Sequence, residues 1–358
     1  MMEDQTTRPT NGLEQMLHSA VFSEHPIALQ AFAGNTKNLW ERYDLLKTHL
    51  GSKHDEVEAG ALLTSAKSGV PYDSLVYLNH HGKGHVELVM NRAAALIDRC
   101  EEIQKPSGFE LFLLLCAIQL HDIGNIHGRE NHTMSFKNEF FGIAQSCFIT
   151  EPGLKEMIFQ ISCVHGGAIN GNYDTIIHLH SKVKLLNHDV NPRFLAAMLR
   201  FADELADDYS RAKVIDKIPE ESKIFHAYSE TLHSVCIEKN LNDSAHHILL
   251  HYFLTRDAAV HLYSRKRKQS LEEISLIEEI LDRTEKVERE RRYCFRFLIP
   301  HLVLTGVKVE IDVQFPDEIS PRNHNYTLSD SGYPNEKIDN PNRREIIREI
   351  TGDGDAAV

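Results

Sequence analysis

Up to about residue 210 the apolar positions of this chain recur at helical spacing, and beyond Ile215 alternating, strand-like stretches join them. A weakly helical pattern covers Leu13 to Phe32, interrupted at Pro26. Leu39, Tyr43, Leu46 and Leu50 fall about one turn apart and predict a helix over 37–50; another is predicted over 55–68, before Gly69, Pro71 and Asp73 signal a loop. Gly82 and Gly84 lead into a helix that starts near His85 and carries Val86, Val89, Met90, Ala93 and Ile97 to about Ile103. From Phe109 to Leu120 nearly every residue is apolar, the mark of a buried helix. A polar loop over 125–132 precedes helices over 135–148 and 151–164, and a Gly- and Asn-rich loop covers 166–180. Pro192 suits the first turn of the next helix, whose apolar face is Phe194, Leu195, Met198, Leu199 and Ala202.

The C-terminal pattern differs. Ser234–Glu238 and His247–Leu254 alternate around the turn residues Asn240 to Asp243 and predict a hairpin, with a further short strand at Val260–Tyr263. The basic cluster Ser264-Arg265-Lys266-Arg267-Lys268 reads as a solvated turn. Leu271, Ile274, Ile277, Leu281 and Val287 line one side of an amphipathic helix over 271–292, and Val307, Val309, Ile311, Val313 and Phe315 alternate as a strand. Residues 1–12 and the tail from Pro316, rich in Asn, Asp, Pro, Ser and Arg, read as mobile.

A length of 358 residues with 42% hydrophobic and 25% charged residues fits a soluble globular protein of one large or two ordinary domains. No stretch approaches the ~20 apolar residues of a membrane span, and the start MMEDQTTRPT lacks the features of a signal peptide. The six cysteines form no CxxC pair and several lie in apolar segments, so reduced thiols in the cytoplasm are expected. The net charge of −13 argues against a broad nucleic-acid surface, although a metal could supply positive charge locally. The 22 histidines make such a metal plausible without locating it.

Candidate chemistry begins at Leu120-His121-Asp122-Ile123-Gly124-Asn125, where the apolar helix ends in two metal-ligand residue types. Alone, the doublet is equally a helix cap whose members satisfy each other. His85 stands in the first turn of its own helix, while His80 and His81 before it read as a solvated loop. Asp203 follows Leu199 by four residues and so shares the buried side, an unusual place for a carboxylate without a cation. Imidazole and carboxylate together suit a borderline divalent ion, and ligands from separate helices of one bundle are a known way to hold it.

The order His85, His121-Asp122, Asp203 resembles the HD superfamily of metal-dependent phosphohydrolases. Local context extends the likeness: His85-Val86-Glu87-Leu88-Val89 resembles the first-ligand helix, Leu120-His121-Asp122-Ile123-Gly124 the signature, and Arg200-Phe201-Ala202-Asp203 the last-ligand helix, together covering roughly 75–210. The resemblance implies an all-helical core, here an HD-type helical bundle over 37–215; the patterning of the rest makes the fold mainly α, with a partly disordered segment 1–36, a smaller C-terminal α+β appendage over 216–316 and a flexible tail over 317–358. It implies His85, His121, Asp122 and Asp203 as ligands of one ion, with Asp122 bridging to a second where one binds and His165 well placed to help hold it. The ions would be Mn, Fe, Ni, Co, Mg or Zn. His127 and His132 lie where the family keeps phosphate-binding or proton-transfer histidines, and Lys83, Arg129 and Arg200 are candidates to hold substrate phosphate. His178, His180 and His188 are further candidate ligands.

The substrate implied is a nucleotide, deoxynucleotide or cyclic or oligonucleotide. The loop Ile123-Gly124-Asn125-Ile126-His127-Gly128-Arg129 lacks the Gly-Tyr-Pro segment of cyclic-di-GMP phosphodiesterases and the Gly-His-Pro-Pro-Phe-Gly-His loop of dGTPase-like enzymes. The rival readings are an HD-fold di-iron oxygenase and a non-catalytic nucleotide sensor or interaction protein. The basic cluster and the amphipathic helix point towards a homo-oligomer.

Overall fold

The computed structural model describes residues 9–23, 37–67, 82–127, 132–166, 171–212, 220–240, 244–267, 270–329, 340 and 342–352. The chain divides into two compact units, one of residues 1–63, 81–206 and 297–302, the other of 64–80, 207–296 and 303–358.

The first unit is helical. In chain order it holds α1 (Gly12–Ser23), most of α2 (Leu39–Lys67), α3 (Lys83–Asp98), α4 (Gly108–Leu120), α5 (His132–Ser135), α6 (Lys137–Ser146), α7 (Pro152–Cys163), a hairpin of β1 (Val183–Leu185) and β2 (His188–Val190), and α8 (Pro192–Glu204). The two helices expected over 37–50 and 55–68 are one, α2, because nothing between them breaks a helix: Gly51 is the weak point and is carried through. Conversely, α3 stops at Asp98, short of the expected Ile103.

Helix α4 is the core of this unit. Every residue from Phe109 to Leu120 is buried, and at about 1.5–3 kcal/mol for each fully buried large apolar side chain this one helix is a principal source of stability. Its start is set by a capping box, in which Ser107 Oγ accepts from the Glu110 amide while Glu110 Oε2 accepts from the Ser107 amide at 3.0 Å. Glu110 Oε1 also accepts from the Asn191 amide at 2.9 Å, so one carboxylate ties the beginning of α4 to the beginning of α8. Contrary to the sequence expectation, Gly108–His127 is long and apolar enough to cross a membrane by length and composition; its most apolar window is 89% buried inside the protein, as befits a core helix.

The hairpin β1–β2 has no strong signal in sequence. Its turn, Leu186-Asn187, takes positive φ at both residues (50° and 67°), a conformation that Asn tolerates and Leu rarely adopts. His188 stacks on Phe109, ring centroids 4.4 Å apart, a core contact that explains this histidine without a metal.

The second unit is α+β. It contains α9 (Glu220–Thr231), β3 (Leu232–Lys239), β4 (His246–Thr255), α10 (Arg256–Val260), β5 (Leu262–Arg267), β6 (Ser270–Ser275), nearly all of α11 (Leu276–Leu298), β7 (Leu304–Gln314), β8 (Arg322–Ser329) and α12 (Arg343–Thr351). The expected hairpin is β3–β4, and it joins a sheet of order β3-β4-β7-β8 in which β4 and β7 run parallel.

Two expectations are corrected here. The basic cluster is a strand through Arg267, not a turn: Arg265 lies opposite Glu272 on β6 and is bonded to Glu272, Glu279 and Asp282. Accordingly the segment 271–275, whose Leu271 and Ile274 also fit helical spacing, is β6, and the helix begins only at Leu276. The segment 317–358, expected to be a flexible tail, contributes β8 and α12. Tyr326 and Leu328 of β8 are buried, and the Tyr326 hydroxyl is 2.7 Å from Thr284 Oγ1 on α11. Helix α12 is held by Arg343 to Asp282 and Glu285, and its last carbonyls accept from Arg256 at 3.2 and 2.9 Å.

Candidate metal centre

The site is assembled where helix ends of the first unit meet. His121 is the C-cap of α4, and its Nδ1 donates to the Ile118 carbonyl at 2.7 Å, which turns Nε2 towards another partner. His165, just past the end of α7, repeats the device: Nδ1 is 2.6 Å from the Ser162 carbonyl. Pinning one ring nitrogen to a backbone carbonyl is how proteins orient a histidine to present the other nitrogen to a metal.

Around Asp122 these rings form two groups. Asp122 Oδ2 is 3.6 Å from His85 Nε2 and 3.4 Å from His121 Nε2. Asp203 Oδ1, from α8, is 3.0 Å from His85 Nε2 and 3.6 Å from His121 Nε2, and the two imidazole nitrogens are 3.3 Å apart. On the other side, Asp122 Oδ1 is 3.8 Å from His165 Nε2 and 3.9 Å from His132 Nε2. Donors about 2.1 Å from a common ion and about 90–110° apart lie about 3.0–3.4 Å from one another. The first group meets that spacing closely and the second is a few tenths of an ångström wider. Both sets of ligand atoms, His85/His121/Asp122 and Asp122/His132/His165, are compact enough to hold an ion, and Asp122 presents one oxygen to each.

The charges agree with such a site. Burial alone would lower the pKa of His121, but Asp122 and Asp203 more than offset it and hold the ring at about 9. Desolvation would raise Asp203, yet its bonds to His121 and His85 pull it well below the ordinary carboxylate range. His165 is pushed down to about 4, first by burial and then by the neighbouring His121, so it is neutral and ready to donate a lone pair.

Several residues support the centre that the sequence did not single out. Asn125 Nδ2 donates to Asp122 Oδ1 at 3.0 Å. At Gly124 an added Cβ would stand 1.7 Å from the His132 carbonyl oxygen, so only glycine lets α5 bring His132 in. Ser135 Oγ donates to the Gly124 carbonyl at 3.2 Å, and Cys163 Sγ to the Thr133 carbonyl at 2.8 Å, binding α5 to both neighbours. His54 of α2 is also buried, with Nε2 3.1 Å from Gln119 Oε1. The Asn125 signal was its position three residues after a ligand; His54 left none.

The remaining candidates fall elsewhere. His127 is half exposed and faces Glu139 at 3.7 Å, outside both groups. Lys83 is exposed and paired with Asp55 at 2.8 Å. Arg200 Nη1 donates to Thr175 Oγ1 at 3.1 Å, and that hydroxyl donates to the Val164 carbonyl beside His165, which makes Arg200 a brace for the α7 terminus. Arg129, His80 and His81 lie outside the described residues. Among the described residues His178, His180 and His188 belong to neither group.

A family model described as HD-CE matches residues 70–279, more than half of the chain. The chain belongs to the HD-CE family. No curated protein and no solved structure matches it. The matched span takes in every member of both groups, and with them this HD-CE chain carries an HD-type site of the metal-dependent hydrolase class.

Proposed function

We propose that this HD-CE chain is a nucleotide phosphohydrolase, cleaving a phosphoester or phosphoanhydride bond with two divalent ions. His85, His121, Asp122 and Asp203 would hold one ion, and Asp122, His132 and His165 the other. The observation that carries this reading is Asp122, a single carboxylate whose two oxygens face separate histidine sets. When bound, the ions supply a lowered pKa for coordinated water and polarise a phosphoryl oxygen. The protein's own part is to fix the lone pairs: the Ile118 and Ser162 carbonyls set the tautomers of His121 and His165, and Asn125 holds the Asp122 carboxylate.

In this reading His132 is a ligand rather than the proton donor, because it stands with His165 on Asp122. The imidazole-rich donor set favours Mn, Fe, Co, Ni or Zn over Mg. With a net charge of −13 on the chain, attraction of an anionic substrate falls to the ions themselves. None of the six cysteines forms a disulfide, and a cytoplasmic location is part of the proposal. Self-association is part of the proposal and is checked by sedimentation.

The test is phosphate release by the Mn-loaded protein from deoxynucleotides, ribonucleotides and cyclic nucleotides. Asp122→Asn and His121→Gln are expected to abolish it; equal release by variants and parent would overturn the reading. The same shared carboxylate also suits a di-iron oxygenase. Oxygen consumption by the Fe(II)-loaded protein, without phosphate release under any metal, would select that alternative.

A further inference from the structure

A buried chain of hydrogen bonds crosses the helical unit and ends beside the metal centre. It starts at Glu14 of α1, which is fully buried. Glu14 Oε1 accepts from Lys47 Nζ and from the Tyr43 hydroxyl, each at 2.7 Å, and Oε2 accepts from the Thr10 amide at 2.8 Å and the Thr10 hydroxyl at 2.9 Å. Burial would raise the Glu14 pKa, but the bonds from Lys47, the Thr10 amide and Tyr43, with the charge of Lys47, outweigh it and keep the carboxyl ionised. An ionised carboxylate only accepts, so Tyr43 must spend its one proton on Glu14. The Tyr43 oxygen can then only accept from Gln119, whose Nε2 lies 3.1 Å away. That fixes which way the Gln119 amide faces. Its Oε1 is turned to His54 at 3.1 Å, so His54 must be the donor there through Nε2–H.

The direction of every bond thus follows from one charge, and its last consequence is at His54. With the proton on Nε2, the Nδ1 lone pair is free to accept. His54 is only 3% exposed, and among the described residues Nδ1 has no hydrogen-bond partner. A buried acceptor without a partner is costly, roughly 1–3 kcal/mol, and calls for a use. Gln119, which holds the ring at 3.1 Å, stands two residues before His121 at the end of α4, and the charges of His121 and Asp122 act on the ring. It also follows the pattern of His121 and His165, in which one ring nitrogen is pinned and the other presented.

We propose that His54 is a further ligand-positioning residue of the metal centre, a neutral imidazole locked as the Nε2–H tautomer whose Nδ1 accepts a hydrogen bond from a buried water held there. Burial keeps the ring neutral, with its pKa lowered to about 4. The tautomer is independent of the phosphohydrolase reading, whereas the bound donor rests on it.

The test uses the full-length protein labelled with ¹⁵N-histidine, with two-bond ¹H–¹⁵N correlations recorded before and after addition of Zn²⁺. His54→Gln assigns the signal: its amide nitrogen replaces Nε2 towards Gln119 and leaves no acceptor at the Nδ1 position. The expected spectrum has a protonated Nε2 and a bare Nδ1 for His54, and Tyr43→Phe, which frees Gln119 to rotate, shifts that pattern towards a tautomer mixture. A protonated Nδ1 in the parent, or no change in Tyr43→Phe, overturns the relay. Addition of Zn²⁺ is expected to move the His54 Nδ1 signal together with those of His121 and His165. Movement of His121 and His165 with His54 unmoved overturns its place at the centre and leaves the metal reading standing. If all three stay still, the metal reading fails, and with it the bound donor. In His54→Gln phosphate release is expected to fall about 10- to 100-fold at unchanged metal stoichiometry, the usual scale for groups that act through a metal site; release equal to the parent overturns the positioning role.

Discussion

Loading the first ligand group with Zn²⁺ should expel about one proton near neutral pH. The reason is His121, whose pKa stands at about 9 because Asp122 and Asp203 together outweigh its burial. At about pH 7.5 it lies some 1.5 units below that value and is protonated by about 30 to 1. Nδ1–H is committed to the Ile118 carbonyl, so the extra proton sits on Nε2, the atom the ion needs. Binding must displace it, at a cost of about 2 kcal/mol, so apparent affinity should be about 30-fold weaker than well above pH 9 and fall about tenfold per pH unit below it. His165, held at about 4, is already neutral and adds nothing to the proton count. Calorimetry in buffers of different ionisation enthalpy reads the number directly: about one proton near pH 7.5, and about a quarter near pH 9.5. In Asp203→Asn, with one of the two carboxylate charges gone, the count near pH 7.5 should drop. Zn²⁺ binding that releases only about 0.1 proton there, the amount expected of an ordinary histidine, would refute the electrostatic account.

Other consequences are open to simpler measurements. Gly124→Ala should lose the second ion, since the new methyl collides with the His132 carbonyl; metal analysis is expected to fall from two ions to one per chain, with the first retained. Glu110→Ala removes both the capping box and the bond to the Asn191 amide, and a loss of about 1–3 kcal/mol is expected from denaturant unfolding. Acid should weaken the metal-free protein between about pH 6.5 and pH 4. His54 and His165 are both lowered to about 4, so on acidification the unfolded chain takes up protons at its ordinary histidine pKa while the folded one resists. Each contributes up to about 3 kcal/mol, present above pH 6.5 and lost as the pH falls towards 4; a flat stability curve over that range would contradict their burial as neutral rings.

The candidate ligands were legible to different degrees. His85 and Asp203 lie in regular helices and His121-Asp122 directly after one, all placed by periodicity that is written locally, so their residue types and order pointed to one centre, and the fold brings them together. His127 and His132 were indistinguishable in the sequence, five residues apart in one polar loop. Only the close approach permitted at Gly124 decides that His132 turns to Asp122 while His127 faces Glu139. Lys83 and Arg200 carried suitable charges, but the fold supplies them with Asp55 and Thr175 as partners.

What the sequence determined by itself is what periodicity can encode: the buried α4, the amphipathic α8 and the alternating β7, each the product of neighbours a few residues apart. What the tertiary structure decided depends on partners far along the chain. Residues 271–275 satisfy either period, and pairing with β5 makes them a strand. The polar stretch after Pro316 looks solvated until β7 offers an edge for Arg322–Ser329, with Tyr326 and Leu328 as its few apolar contacts. His54, on a helix with no motif of its own, takes its tautomer from Glu14, forty positions earlier, through Tyr43 and Gln119. Hydrogen-bond direction passes from one group to the next through space, and no local pattern of residues records it.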